Sequence, residues 1–264
     1  MPFKFIILFV ALITGNAYGF IPELKYIYED LTANNKNIKT YHIKQKRTIY
    51  PSSGSEKGVE LSENVFLQNP WKFARISAAG EKSWMTVYDG SQGLEIAQGR
   101  WFVPQDKFKL PILYGFYFSC EPEELTSFLS LLGITSAKTT YERIRGTFAI
   151  ALYSGDNPGG PRFLLDRKSF KPIAYLNEYE GDRSGPRKGL EYVFSNYRSV
   201  APGVFYPLIV KVFSNGNLVE KTEAQPVEVN GKVLSNVFDV KYLKEKYPKL
   251  SGRFPQENEF FLGE

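Results

Sequence analysis

Two spacings of apolar residues divide this chain. Leu24, Ile27, Tyr28 and Leu31 recur every three or four residues, with Pro22 ahead of them and Asn34-Asn35 behind, and predict a helix over 22–35. From Ile38 the period falls to two. "IKTYHIKQKRTIY" reads as a strand, 51–55 as a turn, and "KGVELSENVFL" as the returning strand. "NPWKFARISAAGEKSWMTVYDG" supplies two more, with Trp71, Phe73 and Arg75 on one face of the first and Asp89-Gly90 as a tight-turn signal at the end. "GLEIAQGRWF" makes a further short strand. Then the periodicity lapses: 104–120, "PQDKFKLPILYGFYFSC", is apolar, aromatic and without a clear repeat. A second helix follows over 121–133, its acidic residues in the first turn and Gly133 near its end. Six more strand segments run from "GTFAIALYS" to "LVEKTEAQPVEVN", with Asn215-Gly216 as another hairpin turn. "FDVKYLKEKYP" suits a short terminal helix, and the residues after Pro248 read as loosely held.

Such a pattern predicts a mainly β (α+β) protein built on a single highly curved antiparallel sheet of about 10–11 strands covered by helices. No repeat or linker divides it. The first residues are a separate matter. Lys4, an apolar run from Phe5 to Thr14 and the small-residue exit Ala17-Tyr18-Gly19 have the layout of a secretory signal peptide, residues 1–19. That apolar run falls short of the roughly 20 residues a membrane-spanning helix needs. Residues 20–264 are then one exported domain.

Composition removes several chemistries. The chain has one histidine, one cysteine and a net charge of +5. A single Cys120 cannot form an internal disulfide and reads as a small buried hydrophobe. His42 sits within a strand and reads as a surface or edge-strand residue; no Gly-x-Ser-x-Gly elbow accompanies it. One His and one Cys cannot supply a zinc-type ligand set, so no metal and no cofactor is expected. The positive charge is interspersed with negative, without the basic stripe that nucleic acid requires. Carboxylates are scattered, and a paired-carboxylate hydrolase stays open as an alternative. The expectation is a protein that is not an enzyme and has no catalytic residues.

What stands out is the aromatic content, 21 Phe, 17 Tyr and 3 Trp. Most of it belongs in a core. A large curved sheet has more concave surface than two helices cover, however, and uncovered apolar surface marks binding sites. An acyl chain suits a groove of that kind, at roughly 0.8 kcal/mol per buried methylene.

Several segments in order, "NIKTYHIKQKRTI", "GVELSENVFLQNPWKFARI", "WMTVYDG", "RFLLDRKSFKPIAYLN", "YPLIVKVFSNGNLVEKTEAQPVEVN" and "NVFDVKYL", resemble the LolA-like family of periplasmic lipoprotein carriers and outer-membrane lipoprotein-sorting proteins. The resemblance implies an incomplete (half) β-barrel whose concave side is closed by helices acting as a lid. It implies a monomeric periplasmic carrier that takes acylated lipoproteins or other lipids from an inner-membrane release complex to an outer-membrane receptor, with transient membrane contact. The acyl-chain groove is then expected from Phe66, Trp71, Phe73, Trp84, Val87, Leu110, Ile112, Leu113 and Phe116. Gly115 would be the flexible point of a lid over 108–118 and the helix after it. The family's lid-closing arginine corresponds to Arg75, one place late in "PWKFAR", which by strand alternation reverses its face unless a bulge intervenes. A lipid-sensing envelope-stress module on the same half-barrel is the alternative within this fold. It calls for a further C-terminal domain, for which the stretch after Tyr242 is short.

Overall fold

The computed structural model describes residues 21–51, 57–69, 71–103, 112–144, 146–178, 189–250 and 256–263. The expected leader at 1–19 and Leu110 lie outside them. The chain begins with α1 (Leu24–Ala33) and enters the middle of a sheet at β1 (Thr40–Ile49). It then meanders outward through β2 (Val59–Gln68), β3 (Lys72–Ala79), β4 (Lys82–Tyr88), β5 (Gly93–Ala97) and β6 (Arg100–Phe102). Helices α2 (Ile112–Phe118) and α3 (Pro122–Leu131) carry it to the opposite edge. From there β7 (Ala137–Ile144), β8 (Thr147–Ser154), β9 (Arg162–Asp166), β10 (Pro172–Leu176), β11 (Leu190–Ala201), β12 (Val204–Ser214) and β13 (Asn217–Val229) return to the centre, where β13 pairs with β1. Two short helices end the chain, α4 (Val240–Lys246) and α5 (Glu257–Leu262).

The result is one antiparallel sheet of 13 strands, ordered β6-β5-β4-β3-β2-β1-β13-β12-β11-β10-β9-β8-β7. β6 and β7 are its two ends, so it is open rather than a closed barrel. Two strands exceed the expected count. One is β7; the other is β6, separated from β5 by a hairpin through Gln98 and Gly99, both at positive φ. Asn215-Gly216 forms the expected tight hairpin, with both residues at positive φ, where Asn and Gly carry the smallest penalty.

Curvature follows from what α2 touches. Its Tyr114 ring lies 5.5 Å from Phe73 on β3, and its Phe116 ring lies 5.5 Å from Phe163 on β9. Those strands are seven spacings apart in the sheet, or about 34 Å of flat surface. A helix of seven residues is about 10 Å long. The sheet must therefore wrap around it. The main apolar core lies inside that curve and joins α1, α2 and α3 to β1–β3 and β8–β12.

α1, α3 and α4 form where expected, whereas α2 and α5 fall in stretches read as irregular or loosely held. Glu121 and Glu124 make a reciprocal capping box with Pro122 in the first turn of α3. Asn35 Nδ2 donates to Ser119 O at 3.0 Å and ties the end of α1 to the end of α2. Gly115 sits against the Phe128 ring of α3. A Cβ there would lie 2.1 Å from the Phe128 ring, so glycine is what permits α2 and α3 to approach so closely.

The tail is also better anchored than its sequence suggested. Leu250 N and Trp101 O, and Trp101 N and Pro248 O, pair across the edge of β6, covering a strand edge that would otherwise be bare. α5 docks through Phe261 into a cluster with Ile49, Leu61, Trp84 and Ala97.

Candidate functional site: a polar band inside an apolar curve

The inner face of β1–β5 is banded. Register places Tyr41 and Ile43, Val65 and Leu67, Phe73 and Tyr88 at the end nearest α1–α3. Ile49, Leu61, Ala79, Trp84 and Ala97 form the far end, beneath α5. Between these apolar bands a set of inward polar residues crosses the strands obliquely: Gln45 and Arg47, Glu63, Arg75 and Ser77, Thr86, and Glu95.

This band is a dense ion network. Glu63 has no exposed side-chain surface; Arg47 Nε donates to it at 2.7 Å, Gln45 Nε2 at 2.6 Å and Ser77 Oγ at 2.7 Å. Arg47 also reaches Glu220 on β13 at 3.3 Å and Glu257 at the start of α5 at 2.7 Å. The second carboxylate oxygen of Glu257 accepts from Arg75 Nη2, and its first also accepts from Ser77 Oγ at 3.2 Å. Burial pushes the Glu63 carboxyl up, but Arg47, Arg75 and the hydrogen bonds outweigh it and hold Glu63 below the usual carboxylate range. Burial likewise opposes the charge on Arg47, and the carboxylates of Glu257, Glu63 and Glu220 overcome it. Glu95 goes the other way: burial, and then the charge of Glu257, raise its pKa to about 7.

The other half of the inner face is apolar and partly uncovered. Leu208, Val210 and Ala224 on β12 and β13 are half-buried. A cleft of about 60 Å³ opens where this wall meets the polar band, bounded by Phe194, Leu208, Val210 and Ala224 on one side and by Arg47, Arg75 and Glu220 on the other. Tyr114 closes it from α2. Its hydroxyl bonds Gln45 and its ring is fully sequestered, so burial drives its pKa well above the ordinary phenol range.

The structure separates the nine groove residues expected from sequence. Phe73, Trp84 and Phe116 face inward and are buried, and Trp71 packs half-buried against the same core. Ile112 and Leu113 open α2, with side chains outside the described residues, as is Leu110 altogether. Phe66 and Val87 are corrections. Their neighbours Val65, Leu67, Trp84 and Tyr88 point inward, so alternation turns Phe66 and Val87 to the outer face. There Val87 joins Ala74, Leu94, Phe238 and α4, and Phe66 stacks on His42 at 4.5 Å. Arg75 does face inward. The β2–β3 register runs unbroken from 62 to 68, so no bulge is needed; Trp71 precedes the strand with φ +52. Arg75 closes onto α5 rather than onto α2 or α3.

The remaining candidates have ordinary surroundings. His42 lies on the central strand β1, not an edge, and its Nε2 is 3.1 Å from Asn64 Oδ1. Cys120 is half-buried beside Asn69 at 3.1 Å, and burial pushes its thiol up to about 11. Among the described residues, no group of three or more His, Cys, Asp or Glu could hold a metal, and no helix is long and apolar enough to cross a membrane.

Sequence reasoning missed the polar band and Glu257. One signal was available, a polar residue amid apolar ones in each inward row. The missing half was the arrival of α5, 182 residues along the chain from Arg75.

No protein-family model and no curated protein matches the sequence. Solved structures do match the fold. A DUF1329 family protein from Desulfovibrio piger superposes with a TM-score of 0.51 at 7% identity, over 85% of this chain and 100% of its own. A Vibrio parahaemolyticus domain described as outer membrane lipoprotein-sorting gives 0.49 at 9% identity, covering 83% and 97%. A LolA superfamily protein from Nitrosomonas europaea gives 0.45 at 10%, covering 83% and 98%. At such identities the likeness concerns the path of the backbone alone, which this chain shares with the DUF1329 family protein.

Proposed function

We propose that this protein is a periplasmic carrier that binds the acyl chains of lipoproteins or related lipids inside the curve of its sheet and moves them from the inner to the outer membrane. One observation carries this reading. A short aromatic helix, α2, occupies the curve beside an apolar wall that is left partly uncovered, with Tyr114, Phe116 and Tyr117 all buried there.

The cleft closed by Tyr114 is by itself too small for cargo. The cleft is about 60 Å³, whereas small-molecule sites run to roughly 300–1,000 Å³. An acyl chain in this reading enters by displacing α2, with Phe116 exchanging protein contacts for lipid contacts. That exchange also solves release. A C16 chain moved fully out of water gains about 12 kcal/mol by methylene count. Where it replaces the aromatic side chains of a plug, the gain falls by whatever surface the plug gives up. Cargo is then held firmly enough to leave one membrane and loosely enough to enter another.

Phe73, Trp71 and Trp84 form the fixed floor in this reading, and Arg75 sets the position of α5. Export through the 1–19 leader, action as a monomer and hand-over between a release complex and a receptor belong to the same proposal. Native mass spectrometry of the protein purified from a periplasmic fraction tests it, the expected result being a co-purified lipid or acylated polypeptide. Hydrogen exchange across 112–131 supplies the second test: protection should fall when a lipopeptide is added. Unchanged high protection with and without it would overturn the moving plug.

A further inference from the structure

The lipid-binding reading leaves the polar band unexplained. A groove for hydrocarbon alone has no use for two arginines in its floor, and burying them is costly unless each is paired. We propose that Arg75 and Arg47 form a seat for the anionic group of an amphiphile, a carboxylate or phosphate carried on an acyl chain, and that the chain's own Glu257 occupies this seat in the present structure. The inference rests on the lipid-binding reading and specifies its ligand.

Glu257 sits as such a ligand would. One carboxylate oxygen accepts from Arg47 Nη2 at 2.7 Å and from Ser77 Oγ at 3.2 Å, while the other accepts from Arg75 Nη2. Each arginine gives one charge-assisted hydrogen bond to a different oxygen of the carboxylate, an arrangement that a carboxylate or phosphate of a ligand can equally accept. The same arginines bound the polar end of the cleft whose other side is Leu208, Val210 and Ala224. Charge and hydrocarbon wall therefore meet in one place, as an acidic amphiphile requires.

When Glu257 leaves, two guanidinium groups still face two carboxylates, Glu63 and Glu220, but Arg47 Nη2 and Arg75 Nη2 each lose the acceptor they have here. Arg47 keeps Glu63 and Glu220. Arg75 keeps only the approach of its Nε to Glu63 at 3.9 Å, beyond hydrogen-bond range. That Nε and the buried Thr86 Oγ1, on the strand paired with Arg75, have no hydrogen-bond partner. Glu95 replaces Glu257 only in part: burial, the largest influence on it, still favours its neutral form once Glu257 has left, although Arg75 opposes that. An incoming carboxylate or phosphate supplies the missing acceptors.

Displacing α5 is also a modest rearrangement. It is a six-residue helix, too short to hold its shape without docking, and it belongs to no strand ladder. It is held by Phe261, by the Glu257 ion pairs and by Lys82 Nζ, which donates to Phe260 O at 2.7 Å.

Titration calorimetry with the full chain and three probes of equal chain length, laurate, dodecyl phosphate and dodecanol, tests the seat. The wild type should bind at least one of the acids more tightly than the alcohol, and the tighter acid identifies the head group. Glu257→Gln, which keeps the side-chain shape, should tighten that acid about tenfold while changing dodecanol less than about twofold, as expected for one charge-assisted contact released to the ligand. Arg75→Gln should bind all three alike. If that variant fails to fold by its melting curve, Glu257→Gln decides alone. Equal binding of acids and alcohol by the wild type and by Glu257→Gln overturns the seat and leaves lipid binding standing. Equal tightening of all three by Glu257→Gln also overturns it, since α5 is then a steric block. Failure of every probe to bind any form overturns lipid binding and the seat together.

Discussion

The two halves of the inner face are built on opposite principles. Across β1–β5 the inward face is crowded, covered by α2 or α5, and cross-linked by charges centred on Arg47 and Glu63, which are almost completely buried. Across β11–β13 the inward rows are mainly apolar, with Phe194, Tyr206 and Val212 buried but Leu208, Val210 and Ala224 only half-buried, and among the described residues Glu220 at the border is their one link to that network. A charged network is satisfied only in one arrangement, because each member left unpaired costs several kcal/mol. An aliphatic wall accepts any apolar partner at nearly the same energy per unit area. The first half therefore holds a geometry, and the second accommodates cargo of variable shape.

Breaking the charged half should have the largest effect. Glu63 is the acceptor on which Arg47, Gln45 and Ser77 converge. Glu63→Ala leaves Arg47 and Arg75 with too few carboxylates inside the sheet, and a loss of about 3–5 kcal/mol in denaturant unfolding is expected. A loss below about 1 kcal/mol would show the network to be hydrated and adaptable, and the contrast between the halves would collapse.

Acidity sharpens the same contrast. Glu63 is held below its unfolded value, so its contribution is present above about pH 4.5 and disappears as pH falls through its lower folded pKa. Glu95 is raised to about 7, so the fold favours its neutral form; stability from this group is full below about pH 4.5 and is lost as pH rises through 7. Ionised Glu95 then costs on the order of 2–3 kcal/mol at pH 8. Unfolding midpoints measured from pH 4 to 8 should decline at the alkaline end in the wild type. Glu95→Gln should remove most of that decline and leave the midpoint at pH 4.5 nearly unchanged.

The helices between the halves come next. Gly115→Ala drives a methyl into the Phe128 ring and should cost about 1–3 kcal/mol by overpacking. If α2 is the plug, the same change separates it from α3 and raises the uptake of a fluorescent acyl probe. Lower uptake with unchanged stability would place the cargo elsewhere.

How much of this could be read from the chain depends on the range of the interactions involved. α1 and α3 each bury one face, so their apolar residues recur at helical spacing and both were legible. α2 is enclosed by sheet on several sides, and "ILYGFYF" is apolar all round; a fully buried helix has no amphipathic period to detect. The Asp89-Gly90 and Asn215-Gly216 turns were legible because the backbone chemistry lies in the turn itself. The face of Phe66 and Val87 was not, since periodicity says which residues share a face and leaves open which face is inside. α5 is six residues whose anchoring partners lie on β1, β3 and β4, and no local pattern contains them.

The smallest expected effect on stability belongs to the open half, and it separates the two faces most directly. Val210 on β12 is half-buried on the inner wall, whereas Val87 on β4 is fully buried on the outer face beneath α4. Val210→Ser removes apolar surface that is already partly in contact with water, so unfolding should change by about 1 kcal/mol or less. Its effect should fall on cargo, with acyl-probe affinity lowered roughly three- to tenfold, because each methyl lost from the wall is a methyl the ligand no longer covers. Val87→Ser should do the reverse. A hydroxyl buried under α4 in place of two methyls costs more than about 2 kcal/mol, and probe affinity measured below the unfolding transition should not move. Were the two variants to lower probe affinity equally, the ligand would be reading the stability of the sheet and not its inner surface, and the division of the molecule into a fixed half and a receiving half would have no bearing on binding.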